Sequence, residues 1–345
     1  MRETVLITGI SGWIAQFCAL ELLKNGYKVK GSLRDLERRE EVTKALKDYI
    51  KDKDQLIFCQ LDLLKDQGWD EACKGCKYVL HVASPFTVEE PKNEDELILP
   101  AKEGTLRALE SAKKAGVKRI IITSSIAAMY AHMKNGVFSE KSWTDLNSTS
   151  ISTYQKSKTI AEQLAWDFYR NQKGPGKIEM SVINPGAVLG PALSPDLDGA
   201  SLSMCVKMLE GKMPGIPNIN LTMVDVRDVA KHHLQAMTNP FADGKRFISA
   251  QSKAVPFSKV AKILKNSGHK KVILRKVPSY LINILSFFSK EARGLKSVID
   301  KHVDCDNSQT VEIFKWKPIK LEKTVIEMGE SVQSFLRKKN NSNSK

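Results

Sequence analysis

The 345-residue chain has little cysteine: Cys18, Cys59, Cys73, Cys76, Cys205 and Cys305 are scattered through apolar or element-edge contexts. That density excludes the disulfide scaffold that staples small secreted domains. Cys73 and Cys76 make one CxxC, "CKGC". A structural zinc needs two further ligands at comparable spacing and the sequence offers none, so the pair reads as a helix-end turn and no metal is expected. Long apolar runs are missing too. The longest, "VPSYLINILSFF" from Val277 to Phe288, carries serine and asparagine and is too short to span a bilayer, which leaves open only a role at a membrane surface. The start, "ETVLITGISG", turns polar and glycine-rich too soon for a signal peptide and predicts a cytoplasmic protein. Acids are outnumbered, 39 against 54 lysines and arginines, for a formal charge of +15. A basic surface attracts polyanions, but the lysines are spread among acids with no aromatic-interleaved basic motif, so no nucleic-acid partner is expected. The end, "RKKNNSNSK", is basic and polar, and 337–345 reads as a disordered tail.

What is present is an ordinary globular composition, 42% hydrophobic and 27% charged. Apolar runs at 4–8, 27–33, 55–61, 78–83, 119–124 and 179–185 read as strands, and 14–25, 37–51, 70–74, 94–115 and 153–170 between them read as helices. This βαβα alternation predicts an α/β fold, a Rossmann doubly wound parallel sheet. After Pro185 the alternation weakens into the loop "GPALSPDLDG", a helix over 202–209, a strand and helix over "NLTMVDVRDVAKHHLQAM", a strand at 246–248, then a turn and two short helices. The expected division is a nucleotide-binding domain over 1–185 with returning segments near 221–249, and a smaller, partly discontinuous substrate lobe from 186–220 and 250–336.

Straight after the first strand, "VLITGISGWIAQF" sets Gly9, Gly12 and Ala15 in a GxxGxxA pattern that opens a helix. Glycine allows a tight turn and close approach of a pyrophosphate to the helix N-terminus; Ser11, Trp13 and Ile14 belong to the same turn. At the end of the second strand, where an acid would hold a ribose 2′-hydroxyl, "GSLRDLERR" has Ser32 and Arg34, with Arg38 one turn on and Asp35 between. NADP(H) is therefore expected over NAD(H). Asp62, followed by Leu63, stands after the third strand where it could accept from an adenine amino group. Val82, Ala83 and Ser84 follow the fourth and would let a cofactor pass. His81 reads as a satisfied core histidine.

In "STYQKSKTIAEQLAWDFY", Tyr154 and Lys158 stand one helical turn apart on one face, while Ile160, Ala161, Leu164, Ala165 and Phe168 supply an apolar stripe. An ammonium beside a phenol lowers its pKa from about 10. A hydroxyl partner is available from Ser124 or Ser125 in "IIITSSIAAMY", at the carboxyl edge where ligands bind in such sheets.

With "TGISGWIA", "GSLRD", "KGCKYVLHVASPF", "TSS", "YQKSK", "INPGAVLGP", "VDVRDVAKHH" and "DNSQTVEIFKWKP", the chain resembles the extended short-chain dehydrogenase/reductases along nearly its whole length. It is most similar to their dihydroflavonol-reductase-like group, within the NAD-dependent epimerase/dehydratase family, which includes cinnamoyl-CoA reductases and yeast-type methylglyoxal and aldehyde reductases. The resemblance implies Ser125 as the catalytic serine, with Ser124 as the fallback, beside Tyr154 and Lys158. It also implies Pro185, Gly186 and Val188 against the nicotinamide, and NADPH reduction of a carbonyl with Tyr154 as proton donor. The substrate departs from the plant enzymes. Where flavonoid-type reductases have asparagine five residues after the serine, this chain has Tyr130, and the cinnamoyl-CoA reductases' "NWYCYGK" is replaced by "ISTYQKSK". Phe86 and Tyr130, with Met204, Leu221 and Met223, would form an apolar pocket for a small carbonyl compound. The other readings are a nucleotide-sugar epimerase or 3β-hydroxysteroid-type dehydrogenase on the same scaffold, and a non-catalytic NADP sensor. The chain is expected as a monomer or homodimer.

Overall fold

A computed structural model describes residues 2–86, 89–174, 176–287 and 289–343. Runs rich in β-branched and large apolar residues form a seven-stranded sheet in the order Lys245–Ser249, Glu179–Pro185, Arg119–Thr123, Tyr78–His81, Thr4–Ile7, Lys28–Leu33, Leu56–Gln60, and every neighbouring pair is parallel. The inner strands are buried along their length, as expected for a parallel sheet covered on both faces. Chain order reverses between Thr4–Ile7 and Tyr78–His81, so the loops leaving these two strands diverge and open a crevice at the carboxyl edge.

One face is covered by the helices Trp13–Lys24 and Val226–Thr238, which bury Phe17, Leu20, Val229 and Met237. The other is covered by Asp95–Lys114 and Thr153–Arg170, whose Ala108, Leu109, Ala112, Ala165 and Trp166 pack with Ile120, Ile122 and Val182 of the sheet. A separate apolar cluster joins Ala200–Leu209, Phe257–Asn266 and Leu321–Asn343 through Leu202, Met208, Val260, Leu264, Val325 and Met328.

Several expectations are corrected here. Of the tail expected to be disordered at 337–345, residues 337–343 belong to one long helix of 23 residues that replaces the second of the two short ones, and 344–345 lie outside the described residues. Val325, Met328 and Val332 are fully buried and anchor that helix, and once nucleated, each further residue adds a backbone bond for little entropy. Lys338 Nζ sits 5.7 Å from the ring of Phe335 on this extension. The short helix Ala127–Tyr130 and the strand Asn135–Phe138 were not expected; the strand pairs in parallel with His302–Cys305, a partner far along the chain that no local pattern announces. Cys73 ends the helix Trp69–Cys73, and both it and Cys76 are buried free thiols. Burial pushes the Cys73 thiol up to about 12.

Candidate active site

At the end of the first strand Thr8 organises one end of the crevice. Its hydroxyl accepts the N–H groups of Val82 and Ala83, both at 3.0 Å, so its single proton goes to His81 Nδ1, also at 3.0 Å. His81 is buried and, through desolvation and then the charge of Lys158, is pushed down to about 3, so it stays neutral. Gly9 follows with φ +67°, and a Cβ there would lie 3.0 Å from that of Ala83, so the turn requires glycine. The Gly9 N–H donates to Ser32 Oγ at 3.0 Å, and Gly12 caps the helix that begins at Trp13. Trp13 Nε1 donates to the Pro191 carbonyl at 2.8 Å, tying this first turn to the loop after the sixth sheet strand.

The two arginines differ in engagement. Arg38 makes a bidentate contact with Glu41 and a 2.5 Å ion pair with Asp196. Arg34 is exposed, and its guanidinium has no hydrogen bond or ion pair among the described residues. Asp62 Oδ1 accepts the N–H of Leu64 at 3.0 Å, which closes the turn after the third strand.

The helix Thr153–Arg170 starts with a capping box: Ser152 Oγ accepts from Gln155 N at 3.3 Å, and Gln155 Oε1 accepts from Ser152 N at 2.7 Å. Glu90 adds a clamp by accepting from both the N–H and the hydroxyl of Thr153. The start of the helix is thereby fixed, and with it the direction of Tyr154. The Tyr154 phenol lies beside the Ser125 side chain and its ring meets Phe86 edge-on, with centroids 5.1 Å apart. Burial raises its pKa above the usual value and the Ser125 side chain opposes that rise. The expected lowering by Lys158 is corrected: the Lys158 ammonium turns inward and donates to the Thr123 carbonyl at 3.2 Å. Burial pushes Lys158 down to about 8, opposed by the negative charge of Glu162.

Ser124 and Ser125 are separated by their partners. Both border the cavity, but the Ser124 hydroxyl is engaged, its Oγ donating to Glu162 Oε2 at 2.6 Å. Ser125 faces the cavity beside Tyr154, and its Oγ also accepts the Ala127 N–H at 3.1 Å.

Glu162 is the main polar residue the sequence reading missed. It is 1% exposed and pairs with Arg246 at 2.6 Å. It also accepts from Asn184 Nδ2 at 2.7 Å and from Trp166 Nε1 at 3.2 Å. Asn184 in turn donates to the Ser125 carbonyl at 3.2 Å, and the Arg246 guanidinium carbon lies 3.8 Å from the centroid of the Trp143 ring while the group donates to the carbonyls of Glu140 and Ser142. The available signal was spacing, since 154, 158, 162 and 166 step by four along one helical face. Correspondingly, the expected apolar stripe is rotated: Ile160, Leu164 and Phe168 are only half-buried, while Lys158, Glu162 and Trp166 face inward with Ala161 and Ala165.

Above this buried network lies one cavity of about 1060 Å³. Gly9, Ser11, Gly12, Trp13, Ile14, Arg34, Arg38, Asp62 and Leu63 line one end, and Val82, Ala83, Ser84, Pro185, Gly186 and Val188 its middle. Ser125, Tyr154, Lys158, Phe86 and Tyr130 line the region beyond, where Tyr130 stacks on Phe138 at 4.7 Å. Gly186 is needed for that wall, because a Cβ there would lie 2.3 Å from the Thr222 carbonyl oxygen. Met204, Leu221, Met223, Phe257 and Leu295 line the far end, and among the described lining residues the cations are Arg34, Arg38 and Lys158.

Residues 5–248 match the model of the NAD dependent epimerase/dehydratase family. The chain belongs to that family. Within it, the chain is 36% identical over 255 residues to cinnamoyl-CoA reductase 1 of Arabidopsis thaliana, covering 72% of this chain and 71% of the plant protein. It is 32% identical to the NADPH-dependent methylglyoxal reductase of Saccharomyces cerevisiae, over 72% of this chain and 78% of that one. The structure of yeast methylglyoxal/isovaleraldehyde reductase complexed with NADPH superposes with a TM-score of 0.78 at 27% identity, covering 98% of this chain and 99% of that one. These relatives place the chain among the oxidoreductases of the epimerase/dehydratase family. No helix of the described residues is long and apolar enough to cross a membrane.

Proposed function

We propose that this epimerase/dehydratase family member is an NADPH-dependent reductase that converts the carbonyl of a small, largely apolar aldehyde or ketone to an alcohol, with Tyr154 as the proton donor. The observation that carries this reading is the set of groups lining the cavity: two arginines at one end, Ser125, Tyr154 and Lys158 beyond its middle, and, among the described residues, no cation around Met204, Leu221 and Met223.

The first end fits a dinucleotide. Gly9 makes the tight turn in which a side chain would collide with Ala83, and the N-terminus of the helix Trp13–Lys24 borders the cavity. Arg34, free of protein partners, suits a 2′-phosphate, with Arg38 behind it. When bound, NADPH supplies the hydride. The protein's part is then to hold the carbonyl and provide a proton. Ser125 donates a hydrogen bond to the carbonyl oxygen, and Tyr154, kept protonated by burial, gives its phenolic proton to the forming alkoxide. Lys158, held at the Thr123 carbonyl and bordering the cavity, would hold the nicotinamide ribose. Residues 186–220 and 250–336 form the substrate lobe in this reading, with Phe86, Tyr130, Met204, Leu221 and Met223 as pocket walls. A nucleotide-sugar epimerase would need cations for a diphosphate at that far end, and the lining residues there include none.

The test follows NADPH and NADH absorbance against aldehydes, α-keto esters and aryl ketones, with Tyr154→Phe alongside. Consumption of NADPH with at least one carbonyl, reduced roughly 10²-fold or more in Tyr154→Phe while NADPH still binds, is expected. A wild-type protein that binds NADPH yet reduces none of them would overturn the proposal.

A further inference from the structure

The helix Ser279–Leu285 and the turn after it lie away from the cavity and expose an unusual amount of apolar surface. Tyr280 is 63% exposed, Ile284 53%, Leu285 52% and Phe287 74%. Positions 280, 284 and 287 follow one helical column, with 281 and 285 beside it, so these side chains form one continuous face rather than scattered exceptions. The helix has another attachment: Ile282, on the opposite side, is 5% exposed and packs with Ala292 and Ile299. The outer face is thus left over after folding, not needed for it.

Its surroundings are strongly basic. Between Ser267 and Ile299 the sequence has seven lysines and arginines and a single acid, Glu291. Lys270, Lys271, Arg275, Lys276, Arg293 and Lys296 are exposed. Two border the apolar face directly: Lys296 Nζ lies 5.5 Å from the centroid of the Phe287 ring, and Arg293 Nε donates to the Ser286 carbonyl at 3.1 Å. Aromatic and aliphatic side chains rimmed by lysine and arginine are the composition of a surface that inserts shallowly among lipid headgroups, the apolar part entering the acyl boundary and the cations meeting anionic lipid. A second copy of this chain would bring the same cations to face themselves, and like charges oppose that contact. The whole molecule, at +15, adds long-range attraction of the same sign.

We infer that this face is a peripheral membrane-docking surface whose partner is an anionic lipid bilayer. The following helix, Lys290–Lys296, contributes Gly294 and Leu295 to the main cavity. The docking face and the cavity's apolar end are therefore linked through one helical pair, so carbonyl compounds dissolved in the bilayer have a short route to the pocket.

The experiment is sedimentation of the full chain with vesicles of phosphatidylcholine alone and of phosphatidylcholine with phosphatidylserine, repeated at high salt and with the double variant Ile284→Glu, Phe287→Glu. Both substituted residues are exposed and outside the cavity lining, so consumption of NADPH with a water-soluble aldehyde, and the melting temperature, should stay unchanged and report a folded protein. The expected result is pelleting with the anionic vesicles only, reduced several-fold by the variant and by salt, which shortens the screening length to about 3 Å at 1 M. Failure to pellet, pelleting that the variant leaves intact, or a wild-type dimer that the variant converts to monomer would each overturn the inference, the last by making a second copy the occupant.

Discussion

At Lys158 two opposing effects meet within one helical turn. Burial strips water from the ammonium and lowers its pKa to about 8, and the Glu162 carboxylate one turn on limits the fall. His81, the imidazole facing the same space, is neutral and adds no charge. Glu162→Gln removes the opposing negative charge, so Lys158 loses its proton at lower pH. The alkaline limb of the kcat profile should therefore move to lower pH; an unmoved limb would show that Glu162 does not tune the lysine. The same substitution leaves Arg246 buried with half of its partnership gone, so a loss of about 3–5 kcal/mol of stability should accompany it. Arg34 gives a second residue-scale expectation. With no protein partner to release, its guanidinium can spend its whole interaction on a 2′-phosphate, and Arg34→Ala should raise KM for NADPH roughly tenfold with little change for NADH. Equal effects on both cofactors would place the 2′-phosphate elsewhere.

At the scale of elements, chemistry depends on where helices begin. The helix Trp13–Lys24 can start beside the sheet edge only because Gly9 takes a left-handed φ of +67° against Ala83. Gly9→Ala combines that unfavourable φ with a 3.0 Å contact to Ala83 Cβ, so a cost of roughly 1–2 kcal/mol and a marked loss of NADPH affinity are expected. Titration by fluorescence together with a thermal melt would measure both, and unchanged affinity would sink the assignment of this turn to the pyrophosphate. The helix Thr153–Arg170 shows how much of the site local sequence could reveal. Ser152 and Gln155 spell a capping box, and Tyr154 and Lys158 announce their common face. That the same face continues inward through Glu162 to Arg246 was not legible, because the arginine comes from a strand 84 residues away.

For the whole molecule, acid should be the main chemical threat. Desolvation, the leading cause in each case, holds His81 and His232 down to about 3 and His233 to about 4. Unfolding lets these imidazoles take up protons below their ordinary value of about 6.5, whereas the folded chain keeps them neutral until far lower pH. The unfolded state binds more protons throughout that window, so their stabilising contribution is complete above about pH 6.5. It is lost as the pH falls towards 4 and then 3, at up to about 1.4 kcal/mol per pH unit for each imidazole. Denaturant unfolding at a series of pH values would measure the slope; a flat profile between pH 6.5 and 4 would show that these side chains are not neutral and buried in solution.

The sequence by itself determined the βαβ alternation, the glycine turn, the Tyr154 and Lys158 pairing and the arginine at the second strand. Each is written in residues close together along the chain, where the periods of helix and strand and the special dihedral freedom of glycine can be read directly. Tertiary structure decided what depends on distant partners. It engaged the Ser124 hydroxyl with Glu162, turned Lys158 towards Thr123, and engaged Arg38 with Asp196 while leaving Arg34 without a partner among the described residues. It also carried the last helix to Asn343 by burying Val325, Met328 and Val332. In each case a side chain has several chemically equivalent choices, and only burial and the position of a remote partner decide which one it takes.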